Sequence, residues 1–300
     1  MKILVTGSRG FVGSRLIPRL EAAGHRVTGF DADTIDVSDS AGVQAIIQRS
    51  CPEAIIHLAA VAFVPAAAKD PDLANRVNVH GTQNVIAGME AHSPKARLLL
   101  VGSSEQYRAV APSGPALTEK SPLDPKGSYA ETKAAAEHLG LQAAERGLDV
   151  VTVRAFNHTG PGQAPVFVAP DFARQIALIE AGNSPVMRVG NLESVRDFLH
   201  VDDVIEAYLH LLDPGVPART YNIASGVGTR IASLLETLAQ FAGVSPIIER
   251  DEERWRDADA RVGNAERLRK ATGWSVSRSL EETLFDLSEY WRKRVKEENS

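Results

Sequence analysis

The sequence predicts an α/β protein, a doubly wound parallel sheet followed by a smaller α+β region, and three observations carry that expectation. Short β-branched runs alternate with longer helical patterns through the first half of the chain, the arrangement of right-handed crossovers. The strand-like runs are apolar at successive positions, as in Ile3-Leu4-Val5 and Leu98-Leu99-Leu100-Val101, which fits strands covered on both faces. Glycines stand at positions 7, 10 and 13, where the first strand gives way to the first helix.

In chain order, residues 2–6 read as a buried strand and 12–23 as a helix. Residues 26–30 are a second strand and 40–48 a second helix. A third strand at 54–58 precedes a helix from about residue 72 to 91, and a fourth strand lies at 97–101. A long helix at 126–146 and a fifth strand at 149–154 complete a dinucleotide-binding region assigned to 1–155. Pro112, Pro115, Pro122 and Pro125 mark a loop before the long helix, and Pro161, Pro165 and Pro170 mark another after the fifth strand. Helical patterns at 204–212, 231–242 and 280–292, with short strands between, give a substrate-binding region at 156–300, some of whose strands return to the main sheet.

Composition narrows the function classes. At 300 residues, 44% hydrophobic and 24% charged, the chain is long and apolar enough for a sizeable core. A net charge of −5 argues against a nucleic-acid binder, and the late cluster Arg292, Lys293, Arg294 and Lys296 is diluted by Glu297 and Glu298. The single cysteine, Cys51, forms no intrachain disulfide and suits a reducing compartment. The start of the chain turns glycine-rich too soon for a signal peptide, and the most apolar run, 54–68, holds His57 and Pro65 and is too short to span a bilayer. The expectation is a cytoplasmic protein with no membrane or nucleic-acid partner. The eight histidines are scattered, with none of the spacings that hold a metal, so no metal site is expected.

The glycine turn Gly7-Ser8-Arg9-Gly10-Phe11-Val12-Gly13 is a spacing variant of the dinucleotide fingerprint. Residues without a Cβ allow the tight strand-to-helix turn, and the helix start offers free N–H groups to a pyrophosphate. The second strand runs into Asp31, which can hydrogen-bond a ribose diol and repel a 2′-phosphate. Asp31 therefore favours NAD, whereas Arg9 could pair with the 2′-phosphate of NADP. Asp36 and Val37 are placed over the adenine, and Leu58, Ala59 and Ala60 give a small-residue surface after the third strand.

Tyr129 and Lys133 are four apart on the long helix and share a face. An ammonium beside a phenol stabilises the phenolate, so Lys133 is expected to lower the titration of Tyr129 and fit it for proton exchange near neutrality. Ser103, at the carboxyl end of the fourth strand, can hold the reacting oxygen beside it. Ser104 and Glu105 follow in the same loop. His57 and His200 read as satisfied core histidines.

With these motifs in place, the sequence resembles the extended short-chain dehydrogenase/reductase family, which acts on nucleotide sugars. The resemblance covers essentially the whole chain and rests on three motifs in order. They are Thr6-Gly7-x-x-Gly10-Phe11-Val12-Gly13, Ser103 with Tyr129-x-x-x-Lys133, and Phe156-Asn157-His158-Thr159-Gly160-Pro161. It implies a Rossmann-type fold and an NAD(P)(H) cofactor. It also implies roles for Ser103 (hydrogen bond to the substrate oxygen), Tyr129 (acid/base) and Lys133 (tuning of Tyr129 and ribose binding). Asn78, in Asn78-Val79-x-Gly81-Thr82, matches the helix asparagine that supports the site, and Phe156 and His158 are implied at the cofactor.

The later segments are most similar to the GDP-sugar members of the family. The likeness implies substrate contacts from Ser104, Asn157, Val168, Phe172, Arg196, Arg254 and Asp257. Arg196 suits a diphosphate; its alternative is an ion pair with Asp202 or Asp203. The chain departs from the family at Arg108, where glycine usually follows the tyrosine, and at Arg254-Trp255 and Asp257, where an arginine-proline pair and a glutamate are usual. What the resemblance implies is reduction of the C4 ketone of a GDP-4-keto-6-deoxy-hexose. A GDP-hexose 4,6-dehydratase, in which Glu105 would be a further acid/base, and a 4-epimerase are the alternatives. A non-catalytic dinucleotide sensor is a third, which the intact Ser103, Tyr129 and Lys133 argue against. The family also implies a homodimer built on the helices at 72–91 and 126–146.

Overall fold

The structure, a computed structural model, describes residues 1–252 and 254–298. Glu253, Asn299 and Ser300, which the expected second region includes, lie outside the described residues. The first half comprises β1 (Lys2–Thr6), α1 (Gly13–Ala22), β2 (Arg26–Phe30), α2 (Ser40–Ser50), β3 (Ala54–His57), α3 (Val64–Lys69), α4 (Pro71–Asn75), α5 (Gly81–His92), β4 (Arg97–Ser103), α6 (Ser128–Glu145) and β5 (Asp149–Ala155). The second half comprises β6 (Asn157–Thr159), α7 (Val168–Glu180), β7 (Val186–Val189), β8 (Val195–His200), α8 (Val201–Leu211), β9 (Thr220–Ile223), β10 (Gly228–Arg230), α9 (Ile231–Ala242), β11 (Ile247–Arg250), β12 (Ala260–Arg261), α10 (Glu266–Thr272) and α11 (Leu280–Glu298).

The main sheet has six parallel strands in the order β2-β1-β3-β4-β5-β9. The strand order reverses beside β1, which leaves a crevice outside the carboxyl ends of β1 and β3. Both faces are packed, and this is why the strands are apolar without alternation. Ile3 and Val5 join a cluster with Leu16 and Leu20 of α1 and Val204 and Ile205 of α8. Leu4, between them, points to the other face with Ile47 of α2 and Val85 and Ile86 of α5.

β9 arrives from the second half and pairs with β5 over Thr152↔Thr220 to Ala155↔Ile223. The remaining strands form smaller groups in which β8 pairs with β10, β12 and β6, and β7 pairs with β11. A third cluster, with Phe172, Leu234, Leu238, Leu287 and Trp291, packs α7, α9 and α11 together.

Asp197 ties this second half together. Its side chain is fully buried and accepts hydrogen bonds from the Ser225 amide (2.8 Å) and hydroxyl (2.6 Å) and the amides of Gly226 (2.9 Å) and Gly263 (3.1 Å). Burial pushes its carboxyl above the usual range, and these donors offset part of that effect.

Three local features differ from the sequence expectation. The helix expected over about 72–91 is interrupted by a π turn at Arg76–His80 between α4 and α5. A five-residue turn re-aims the side chains it carries, and Asn78 sits within it. Pro170 lies not in a loop but in the first turn of α7, where the backbone N–H it lacks has no helical partner to lose. The helix α3 and the helix α10 carry too few periodic residues to be read in advance. Among the described residues, no helix is long and apolar enough to cross a membrane.

Candidate active site

A cleft of about 800 Å³ runs over the carboxyl ends of the sheet strands, within the range of ligand pockets. Its floor at one end is the glycine turn. Gly7 adopts φ +68, and a Cβ there would stand 2.9 Å from the Ala59 nitrogen. A Cβ on Gly13 would stand 2.3 Å from the Gly7 carbonyl oxygen. Only bare backbone fits, and α1 begins at Gly13 with no side-chain cap, so the positive end of its dipole faces this floor. The cradle fits the diphosphate of a dinucleotide.

Asp31 stands beside this floor, at the end of β2. Its carboxylate accepts the Ser8 hydroxyl at 2.5 Å and the Arg9 amide at 3.0 and 3.2 Å. The Arg9 guanidinium lies on the rim, 64% exposed, with Nε 3.4 Å from Asp31 and an Nη on Asp33. Asp33 holds the Arg9 guanidinium above its ordinary value. Asp36, Val37, Leu58, Ala59 and Ala60 all line the cleft.

A buried relay supports this floor. The Ala59 amide donates to Thr6 Oγ1 (3.0 Å), which lies 2.7 Å from His57 Nδ1. On the other side, His57 Nε2 lies 3.1 Å from Thr82 Oγ1, whose single proton goes to the Asn78 carbonyl at 2.7 Å. His57 must therefore donate from Nε2 and accept at Nδ1. Burial, with the charge of Lys133 nearby, lowers it to about 3, so it stays neutral. Asn78 does not line the cleft. Its amide instead joins the loop after β3 to α6, accepting from the Val61 amide (2.8 Å) and donating to Thr132 Oγ1 (3.0 Å).

At the inner end, Ser103 closes β4 and caps the short turn 104–106, accepting the Glu105 amide at 3.2 Å. Tyr129 and Lys133 project from the first turns of α6, and the Ser103 hydroxyl hydrogen-bonds the Tyr129 phenol. Lys133 Nζ donates to the Val101 carbonyl at 2.8 Å, and burial lowers its ammonium to about 8. The expected lowering of Tyr129 is not what the structure shows. Burial pushes the phenol up to about 12; the Ser103 hydrogen bond offsets part of this and the Glu105 charge adds to it. Spacing reveals that Lys133 shares a face with Tyr129, but not that the phenol is desolvated by the protein around it.

Glu105 lines the cleft beside Ser103 and Ser104, and Arg261 Nη2 stands 3.5 Å from its carboxylate. Phe11, from the glycine turn, stacks with His158, ring centroids 6.4 Å apart, so the two halves meet across the cleft. Phe156, Asn157, His158 and Val168 line its far wall, together with Tyr208, Gln163 and Phe167, which sequence reasoning did not select.

Four residues expected at the substrate lie off the cleft wall. Phe172, one turn beyond Val168, is buried in the third cluster. Arg196 turns to Asp259, 2.6 Å away, and not to Asp202 or Asp203. Arg254 is exposed and bound to Asp171 (2.8 Å) and Asp251 (3.2 Å). Asp257 is exposed.

A parallel sheet with a glycine-floored crevice, ending in a tyrosine, a lysine and a serine, is the architecture of nicotinamide-dependent oxidoreductases. The profile of the NAD dependent epimerase/dehydratase family matches residues 3–224, and the chain belongs to this family. It is 35% identical to the GDP-6-deoxy-D-mannose reductase of Pseudomonas aeruginosa over 99% of both chains. It is 29% identical to the GDP-6-deoxy-D-talose 4-dehydrogenase of Aggregatibacter actinomycetemcomitans, covering 91% of this chain and 92% of that one. Among solved structures, the P. aeruginosa RMD complexed with NADPH superposes with a TM-score of 0.87 at 34% identity, covering 98% of each chain.

Proposed function

We propose that this protein reduces the C4 ketone of a GDP-4-keto-6-deoxy-hexose with NAD(P)H. The observation that carries this reading is the convergence of Ser103, Tyr129 and Lys133 at the inner end of a cleft whose outer end suits a dinucleotide. The full-length similarity to a GDP-6-deoxy-D-mannose reductase supports the substrate class. The division of labour follows the fold: residues 1–155 hold the dinucleotide and 156–300 hold most of the sugar nucleotide.

The dihydronicotinamide, when bound, supplies the hydride that reduces the ketone carbon. Ser103 donates a hydrogen bond to the carbonyl oxygen, where negative charge develops. Tyr129 delivers the proton that completes the alcohol. A phenol held up at about 12 is fully protonated at neutral pH, the state a proton donor requires. Lys133 stabilises the phenolate that remains and would help to hold the ribose of a bound dinucleotide. Glu105, beside Arg261, faces the phenol and supports its protonated form.

The sign of the pH dependence follows. With its ammonium lowered to about 8, Lys133 is charged below that pH and neutral above it. Reduction is expected to be fullest below about pH 8 and to fall as pH rises through that value. Measurement of kcat/KM between about pH 6 and 9.5 checks this; a profile flat to the alkaline end would count against the role given to Lys133.

Cofactor choice is set at the adenosine end. Asp31 and Asp33 outnumber Arg9 there, which favours an unphosphorylated ribose and hence NADH. The NADPH bound to the Pseudomonas structure favours a second reading, in which Arg9 leaves Asp33 for a 2′-phosphate. The ratio of kcat/KM for the two cofactors decides between them. In the first reading NADH is preferred and Asp31→Ala reduces that preference about tenfold; in the second NADPH is preferred and Arg9→Ala reduces it instead. The protein acts in the cytoplasm, a reading that the lone Cys51 supports. It forms a homodimer through α5 and α6, supported by the exposed Leu141 and Ala135 on the outer face of α6.

A further inference from the structure

The face of α6 that carries Tyr129 and Lys133 carries a third side chain at the same spacing, Glu137. Glu137 is 4% exposed and forms a two-bond ion pair with Arg154 of β5, itself 7% exposed, at 2.5 and 3.0 Å. The same carboxylate oxygen that takes Arg154 Nε also accepts Gln106 Nε2 at 2.6 Å. Gln106 is fully buried, and its Oε1 accepts the backbone N–H of Ser103 at 2.7 Å. The approach is close: a Cβ on Gly102 would stand 2.5 Å from that Oε1. A continuous line of hydrogen bonds therefore runs from the helix that holds the phenol to the backbone that holds the hydroxyl.

None of Glu137, Gln106 and Arg154 lines the cleft. A buried ion pair between α6 and β5 would explain Glu137 and Arg154 by themselves. It does not explain Gln106, which adds nothing to that pair's charge balance. What Gln106 adds is a hydrogen-bonded link of fixed length between α6 and the backbone amide of Ser103. Such distances matter, since a misplacement of about 1 Å can cost about 10²-fold in rate.

We propose that Glu137 and Gln106 are positioning residues that set the spacing between the Ser103 hydroxyl and the Tyr129 phenol. This rests on the catalytic reading above. Gln106→Met keeps the length and fills the space but breaks both hydrogen bonds. It is expected to lower kcat about 10- to 100-fold, with KM and dinucleotide affinity within about twofold. In a Tyr129→Phe background the same change is expected to cost less than about threefold, because the spacing no longer has a phenol to serve. The amide of Ser103, followed by hydrogen exchange, is expected to lose protection in Gln106→Met. The paired exchange Gln106→Glu with Glu137→Gln keeps the charge and restores a donor and an acceptor along the line; it is expected to recover at least half of the lost kcat.

A loss of equal size in both backgrounds, no recovery in the paired exchange, or a fall in thermal stability with kcat unchanged would each overturn the proposal. Failure of the catalytic reading looks different: the parent enzyme itself would then reduce no keto-sugar. Unchanged exchange at Ser103 in Gln106→Met would still overturn the positioning role in that case.

Discussion

Tyr129→Phe is expected to lower turnover of a GDP-4-keto-sugar about 10³-fold while dinucleotide affinity stays within about threefold. The substitution removes one oxygen and leaves the ring, so packing at the start of α6 is kept. What disappears is the proton that the reduced oxygen needs, and the partner of the Ser103 hydroxyl. The phenol titrates far above neutrality, so no neighbouring group takes its place without a change of its own. Lys133 is engaged with the Val101 carbonyl, and Glu105 is held by Arg261 as an acceptor. Steady-state oxidation of the reduced cofactor, with cofactor affinity measured by fluorescence, separates the two effects. Turnover within about threefold of the parent would remove the chemistry proposed for this cleft.

Asp197→Ala is expected to cost about 3–5 kcal/mol of stability, enough to unfold a marginal protein. The carboxylate is wholly enclosed and answers three backbone amides and one hydroxyl, from the loop after β9 and from Gly263. An alanine leaves all four donors without this acceptor in an enclosed space. No cation compensates this charge among the hydrogen bonds and ion pairs described for it; the amides themselves hold it, as they would an anion at a helix start. Urea unfolding of parent and variant measures the difference. A loss below about 1 kcal/mol would mean that water enters and replaces the carboxylate.

Much of the fold was legible because its strands are enclosed. Continuous apolar runs such as Leu98 to Val101 can only be strands of a sheet covered on both sides once helical patterns separate them. The inner end of the cleft was legible for two local reasons: a four-residue helical spacing joins Tyr129 to Lys133, and Ser103 falls where a strand ends. What escaped was set by contacts between distant parts of the chain. Arg196 finds Asp259, 63 residues away, and no local pattern points there. Phe172 follows Val168 by one turn, yet Val168 reaches the cleft from the edge of the cluster in which Phe172 is buried, and only the packing around α7 decides this. The π turn around Asn78 escaped because its residues are as compatible with an α-helix as their neighbours, and the wider turn has no local signature. Gln106 did leave a trace, the Ser103-x-x-Gln106 spacing of a capping box, which marks a turn but not its reach to Glu137.

The pairing of β9 with β5 bears on how the enzyme can admit and enclose a substrate. The second half of the chain is stitched into the main sheet by four residue pairs, and Asn222 within that strand is further anchored to Leu117, Asn264 and the Tyr107 hydroxyl. A jaw-like swing of one half against the other would tear this seam. The cleft is therefore a preformed cavity whose two walls are held at a fixed separation.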